Sequence, residues 1–302
     1  MNTQSNAVPE SSFQSQGLAP AIVAAIRPLY WSIRRELWEN RSIYIAPLAV
    51  AAVIVFASVI ATLAGSHLGT TKFDHQPDKL AQPFNFAAVL LMGTTFIVAI
   101  FYCLDALHGE RRDRSVLFWK SMPVSDVMTV VSKMAVPLIV LPVLTFVITI
   151  ATQLIMLLVG STAVLMRGHS AAALWSLPWF QMSGMLLYHL LTVHGLYYAP
   201  IFGWLLLVSA WAKRVPFLWA FLPLAAIGIV EKVVFNTSHF AGMLGSRISG
   251  GSADEPMQSG AMMLGHFNLG QFLSAPGLWI GLAITAAFLA AAVRLRRYRD
   301  PI

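Results

Sequence analysis

The chain of 302 residues is 57% hydrophobic and only 11% charged, with a formal net charge of +7. A soluble domain carries about a quarter charged residues, so this composition excludes an ordinary soluble protein and sets a membrane class before any motif is read. The single cysteine, Cys103, excludes an intrachain disulfide and reads as a small buried hydrophobe. The positive balance does not read as nucleic-acid binding, because the basic residues flank apolar runs and form no basic face with stacking aromatics.

In chain order, residues 1–26 open with a Ser-, Gln- and Asn-rich stretch that reads as disordered and carries no pattern of a cleaved leader. Residues 27–42 read as an amphipathic interfacial helix. Leu29, Ile33 and Leu37 recur at a spacing of four, with Tyr30 and Trp38 beside them and Pro28 suited to a first helical turn. Arg34, Arg35, Glu36 and Glu39 fill the polar side. Such a helix lies in the headgroup layer, either as a plain anchor or as a lever that also touches a partner.

Six stretches are long and apolar enough to cross a bilayer, which needs about 20 residues: 43–65, 86–107, 127–159, 182–211, 215–235 and 278–293. The predicted fold is therefore all-α, a polytopic six-helix membrane domain over 43–302. Pro137 and Pro142 predict a kink in the third stretch, and Pro216 opens the fifth at a position that costs no hydrogen bond. Lys and Arg outnumber their counterparts on the other side by about three to one when both termini are placed inside. Both termini are thus expected to be cytoplasmic. The outer loop, 236–277, carries short apolar patches (Phe240 to Leu244, Met262 to Leu264) that read as re-entrant helices.

The connector 108–126 is the densest charged segment. Glu110 and Asp113 alternate with Arg111, Arg112 and Arg114, and Val116, Leu117, Phe118 and Trp119 follow. Orientation alone needs only the positive charges. Mixed charge beside an apolar quartet fits a protein contact with an aromatic anchor and a polar rim, against the plainer reading of a solvated loop. Pro123 ends that segment, and Ser125 or Asp126 can cap the helix that follows.

No Gly-x-x-x-x-Gly-Lys-Ser/Thr phosphate loop occurs, no His-Glu-x-x-His, and no Cys/His cluster that suggests a metal site. No catalytic or metal-ligating residue is assigned. Ser183 with His189 would be the elements of an intramembrane hydrolase, but a separation of six does not put them side by side on a helix. Polar residues inside the runs mark possible pathway-lining positions: Gln153, His189, His194 and Glu231.

The run Arg-Glu-Leu-Trp-Glu-Asn-Arg-Ser before the first span, and Glu-Arg-Arg-Asp-Arg-Ser-Val-Leu-Phe-Trp-Lys-Ser-Met-Pro-Val-Ser between the second and third, carry a resemblance. Together with the six-span order and the long outer loop before the last span, they resemble the ATP-binding-cassette transporter permeases of the type-2 export class. The resemblance covers nearly the whole chain from Arg27 and is most specific over 117–125. It implies that Glu110, Arg111, Arg112, Asp113, Arg114, Leu117, Phe118 and Trp119 form the coupling helix seated in a nucleotide-binding subunit. It also implies that Arg34, Arg35, Glu36 and Trp38 lie on the connecting helix that joins this contact. The implied partners are an ATPase subunit that holds the ATP and magnesium, a second permease copy or paralogue, and membrane lipid. The implied location is a bacterial inner membrane, with no cofactor in this chain. The alternative is a non-transporting membrane scaffold or immunity-type subunit of the same fold.

Overall fold

The computed structural model describes residues 18–64, 77–113, 125–248 and 269–298. Among the described residues the chain is helical, with no strand. It opens with α1 (Leu18–Glu39), the apolar α2 (Ser42–Leu63), the long α3 (Pro77–Ala106) and the short α4 (His108–Arg112). Then α5 (Asp126–Ala135), a π-helical segment Val136–Val140 and α6 (Leu141–Met166) form one run. The turn α7 (Ala172–Trp175) leads to α8 (Trp179–His189), a second π segment Leu190–Tyr197 and α9 (Ala199–Trp211). Last come α10 (Pro216–Phe235), α11 (His239–Ile248), α12 (Leu269–Ser274) and α13 (Pro276–Tyr298).

Five helices are long and apolar enough to cross a membrane, and a sixth results if the pair Trp179–Tyr197 and Ala199–Trp211, bent by 45°, counts as one span. All six sequence-predicted stretches fall on these helices. The first helix differs from expectation. It starts at Leu18 and holds Pro28 in its interior, because the Ala-rich residues 18–26 propagate helix and Pro20 occupies its first turn. Helix α11 covers the first apolar patch of the 236–277 loop, whereas Met262 to Leu264 lie outside the described residues.

Helix α9 is central, packing against α13 and α3, while α2 packs on α6 and α3. Tyr102, Cys103, Leu141, Val193, Phe202 and Leu206 form the core at one end. Phe84, Leu91, Ile54, Leu157 and Leu174 form a second cluster nearer the other. The outer surface is apolar in turn. Helix α10 buries only Ala220 and exposes Phe217, Leu222, Ile229 and Val233, an apolar extent that suits a hydrocarbon surround.

The prolines of the third run widen it instead of breaking it. Pro142 has no N–H, and the Leu141 N–H reaches back five residues to the Val136 carbonyl, the pattern of a π turn. In the second π segment the Tyr198 N–H likewise reaches the Val193 carbonyl at 3.0 Å. The two π segments pack on each other, and Gly195 permits it: a Cβ there would lie 3.1 Å from the Leu138 carbonyl oxygen. Gly184, one helix earlier, faces open space. Gly195→Val is therefore expected to lower detergent-phase stability by about 1–3 kcal/mol through overpacking, read as a fall in melting temperature. Gly184→Ala is expected to be neutral or to gain up to about 1 kcal/mol.

Candidate functional site

The end of the bundle that carries the charged connector is held by ionised side chains from four segments. Glu110, on α4, is the hub. Its Oε1 accepts from Arg35 of α1 at 3.0 Å and lies 3.1 Å from the Lys133 ammonium of α5, while Oε2 pairs with Arg296 of α13. Glu36, one residue beyond Arg35, accepts from Lys133 at 2.7 Å and from the Tyr102 hydroxyl of α3 at 3.0 Å. Arg296 also donates to Asp126, the first residue of α5, at 3.1 Å. Three carboxylates (Glu36, Glu110, Asp126) thus meet three cations (Arg35, Lys133, Arg296), and a fourth, the exposed Glu39, joins at the rim through Arg35. Lys133 and Glu36 are each only 2% exposed, so this is an interior network and not a surface decoration.

Local structure explains why these groups converge. Helix α3 stops at Ala106 and the chain turns through Leu107 into α4, which frees two backbone donors; the Ser209 hydroxyl of α9 accepts both, from Leu107 at 3.0 Å and His108 at 2.9 Å. In return the Arg111 guanidinium of α4 donates to the Ala210 and Ala212 carbonyls at 2.7 and 3.3 Å, closing the C-terminal end of α9, where a cation also suits the helix dipole. Ser125 caps α5, its hydroxyl accepting from the Met128 N–H at 3.1 Å. One face of α4 binds α9 and the other binds the charge cluster.

The placement divides the sequence-predicted residues. Glu110 and Arg111 were expected to face a partner; both are buried, Glu110 in the ion cluster and Arg111 on the end of α9. Arg112 and Asp113 are exposed and pair with each other at 3.1 Å. Arg114, Leu117, Phe118 and Trp119 lie outside the described residues. On α1 the half-buried Leu29, Ile33 and Leu37 and the exposed Arg34 and Glu39 follow the amphipathic assignment, whereas Glu36 is buried, Arg35 half-buried, and Tyr30 and Trp38 exposed. The reason is that Lys133 and Glu110 supply the charged partners that the sequence reading sought in water.

The polar residues inside the spans are engaged in different ways. Gln153 donates to the Phe84 carbonyl at 3.2 Å, tying α6 to α3. His189 and His194 are buried with ring centres 5.8 Å apart. Glu231 instead caps α11: its carboxylate accepts from the His239 and Phe240 N–H groups at 2.7 and 2.9 Å and from the Thr237 hydroxyl at 2.9 Å. Tyr102, Lys133, Ser209 and Arg296 were not singled out by sequence. A lysine this close to an apolar run was the available signal, because it requires an acid from another segment.

Replacing Lys133 with Met removes the fully buried cation between Glu36 and Glu110 and leaves them only the half-buried Arg35 to share, and is expected to cost about 3–5 kcal/mol of stability in thermal unfolding. Combining it with Glu36→Gln is expected to recover about 1–3 kcal/mol relative to additivity, which a double-mutant cycle reads directly. Glu231→Ala is expected to speed amide exchange at His239 and Phe240 while leaving α1 to α5 unchanged. Comparison of the chain with known families, curated proteins and solved structures finds no match in any of the three.

Proposed function

We propose that this chain is the membrane-spanning permease subunit of an ATP-binding-cassette transporter of the type-2 export class. It works as one of a pair with a second copy or paralogue, and ATP is hydrolysed with magnesium on a separate cytoplasmic subunit. The charged end of the bundle is then the cytoplasmic end, in a bacterial inner membrane. The observation that carries the reading is the anchoring of the connector. Its entry, α4, is clamped to α9, and its exit at Asp126 is clamped to α13, while Arg112 and Asp113 remain outward at the point where the chain continues towards Trp119. A push on such a connector is delivered to α1, α5, α9 and α13 together instead of being absorbed by a slack loop.

The mechanism is alternating access. Nucleotide favours one docking geometry of the motor over another, and only that difference in affinity shifts the permease between its states. Helix α4 transmits the shift through Glu110 to Arg35, Lys133 and Arg296, and through Arg111 to α9. Within the spans, Gln153 and the His189–His194 pair offer polar groups to a moving substrate. The carboxylate of Glu231 is engaged on α11.

The test leaves Arg111 untouched, since it holds α9. Arg112→Glu with Arg114→Glu is expected to preserve membrane insertion and the melting temperature. The same double variant is expected to lower co-purification with a co-expressed nucleotide-binding subunit about tenfold or more. A complex recovered at the parent yield would refute docking at this connector.

A further inference from the structure

Helix α1 has a second face that the charge cluster does not use. Arg27, Trp31, Arg34, Trp38 and Arg41 are spaced four, three, four and three residues apart, which places them on one stripe of the helix and its C-terminal extension. All five are exposed. The Arg34 guanidinium carbon lies 5.2 Å from the ring centre of Trp31 and 5.2 Å from that of Trp38, so the cation is held between two indoles. Tyr30 stands edge-on to Trp31 with ring centres 5.6 Å apart. The acids lie elsewhere: Glu36 faces the interior and Glu39 pairs with Arg35 at 3.0 Å.

We propose that this ladder of alternating guanidinium and indole groups is a docking surface for anionic phospholipid headgroups. Three arguments select that occupant. The stripe carries three positive charges and no carboxylate, complementary to an anionic surface and not to a zwitterionic one. Guanidinium forks match phosphate oxygens bidentately, and indoles settle at the level of the headgroups. Arg41 directly precedes α2, the first apolar helix, so the ladder ends where the hydrocarbon begins. The assignment does not depend on the transporter reading, only on α2 lying in a bilayer.

The experiment uses the full-length chain in detergent micelles doped with phosphatidylglycerol or phosphatidylcholine, with retained lipid counted by native mass spectrometry. The parent is expected to retain phosphatidylglycerol preferentially. Neutralising Arg27, Arg34 and Arg41 to Gln is expected to reduce that preference about fivefold per arginine. Lysine at the same three positions, which returns the charge without the bidentate fork, is expected to restore part of it, while Lys213→Gln with Arg214→Gln, exposed elsewhere at the same end, leaves it intact. Equal retention of the two lipids by the parent, or an undiminished preference in the glutamine variant, overturns the proposal. So does failure of the lysine rescue in a chain that melts like the parent. Loss of an ATPase partner in the glutamine variant with the lipid preference kept would assign the face to protein, and also overturns it.

Discussion

A carboxylate withdrawn from water must be surrounded by cations and donors, and Glu110 obtains them from three separate parts of the chain. That requirement fixes the charged end of the molecule. Arg35 comes from before the first apolar helix, Lys133 from the start of the third, and Arg296 from the end of the last. None of these can move far without leaving an ionised group unpaired in the interior. Buried ion pairs are seldom better than well-packed apolar side chains for stability alone. What this one supplies is register: it specifies which segments meet and at what height.

The opposite end is fastened by different chemistry. Arg167 donates to the Thr62 carbonyl at 2.6 Å, joining α6 to α2. Arg247 bonds the Tyr197 and Gly277 carbonyls and rests 4.4 Å from the Tyr197 ring centre, which brings α11 against the start of α13. Tyr198 adds a bond to the Ile248 carbonyl at 2.7 Å. Here single arginines meet helix-end carbonyls, and no network of charges forms among the described residues. Between the two fastened ends lie the paired π segments, where hydrogen bonds span an extra residue and Gly195 lets two backbones touch. The last residue of the second π segment, Tyr197, itself supplies one of the carbonyls that Arg247 holds.

Most of the fold was legible because hydrocarbon thickness leaves an unambiguous trace: each apolar stretch marked from the sequence became a helix. The start of α1 was missed because its polar preamble masked the helix-forming alanines beyond residue 18. The candidate site was half legible. Charge density identified the connector and α1, but the inward or outward direction of Glu110 and Glu36 depended on Lys133, Tyr102 and Arg296. Those residues lie between 23 and 186 positions away from the carboxylates they meet. Local periodicity cannot contain that information. Glu231 illustrates the same limit at short range, since a carboxylate at the end of a span looks alike whether it lines a passage or caps the next helix.

Helix α1 brings these strands together, because its two faces make opposite demands. The side centred on Glu36 has left water and is satisfied only by Lys133, Tyr102 and Glu110's partner Arg35. The side carrying Arg34 between its two tryptophans has no protein partner to neutralise its charge among the described residues. A helix free to roll would pull Glu36 away from Lys133 and Tyr102 and leave Lys133 with Glu110 as its remaining acid, at a cost of several kcal/mol. Rolling is therefore opposed by contacts to α3, α4 and α5 together. A force applied to the outward face of α1 reaches the connector through Arg35 and Glu110, alongside the contact of Leu37 with the apolar core.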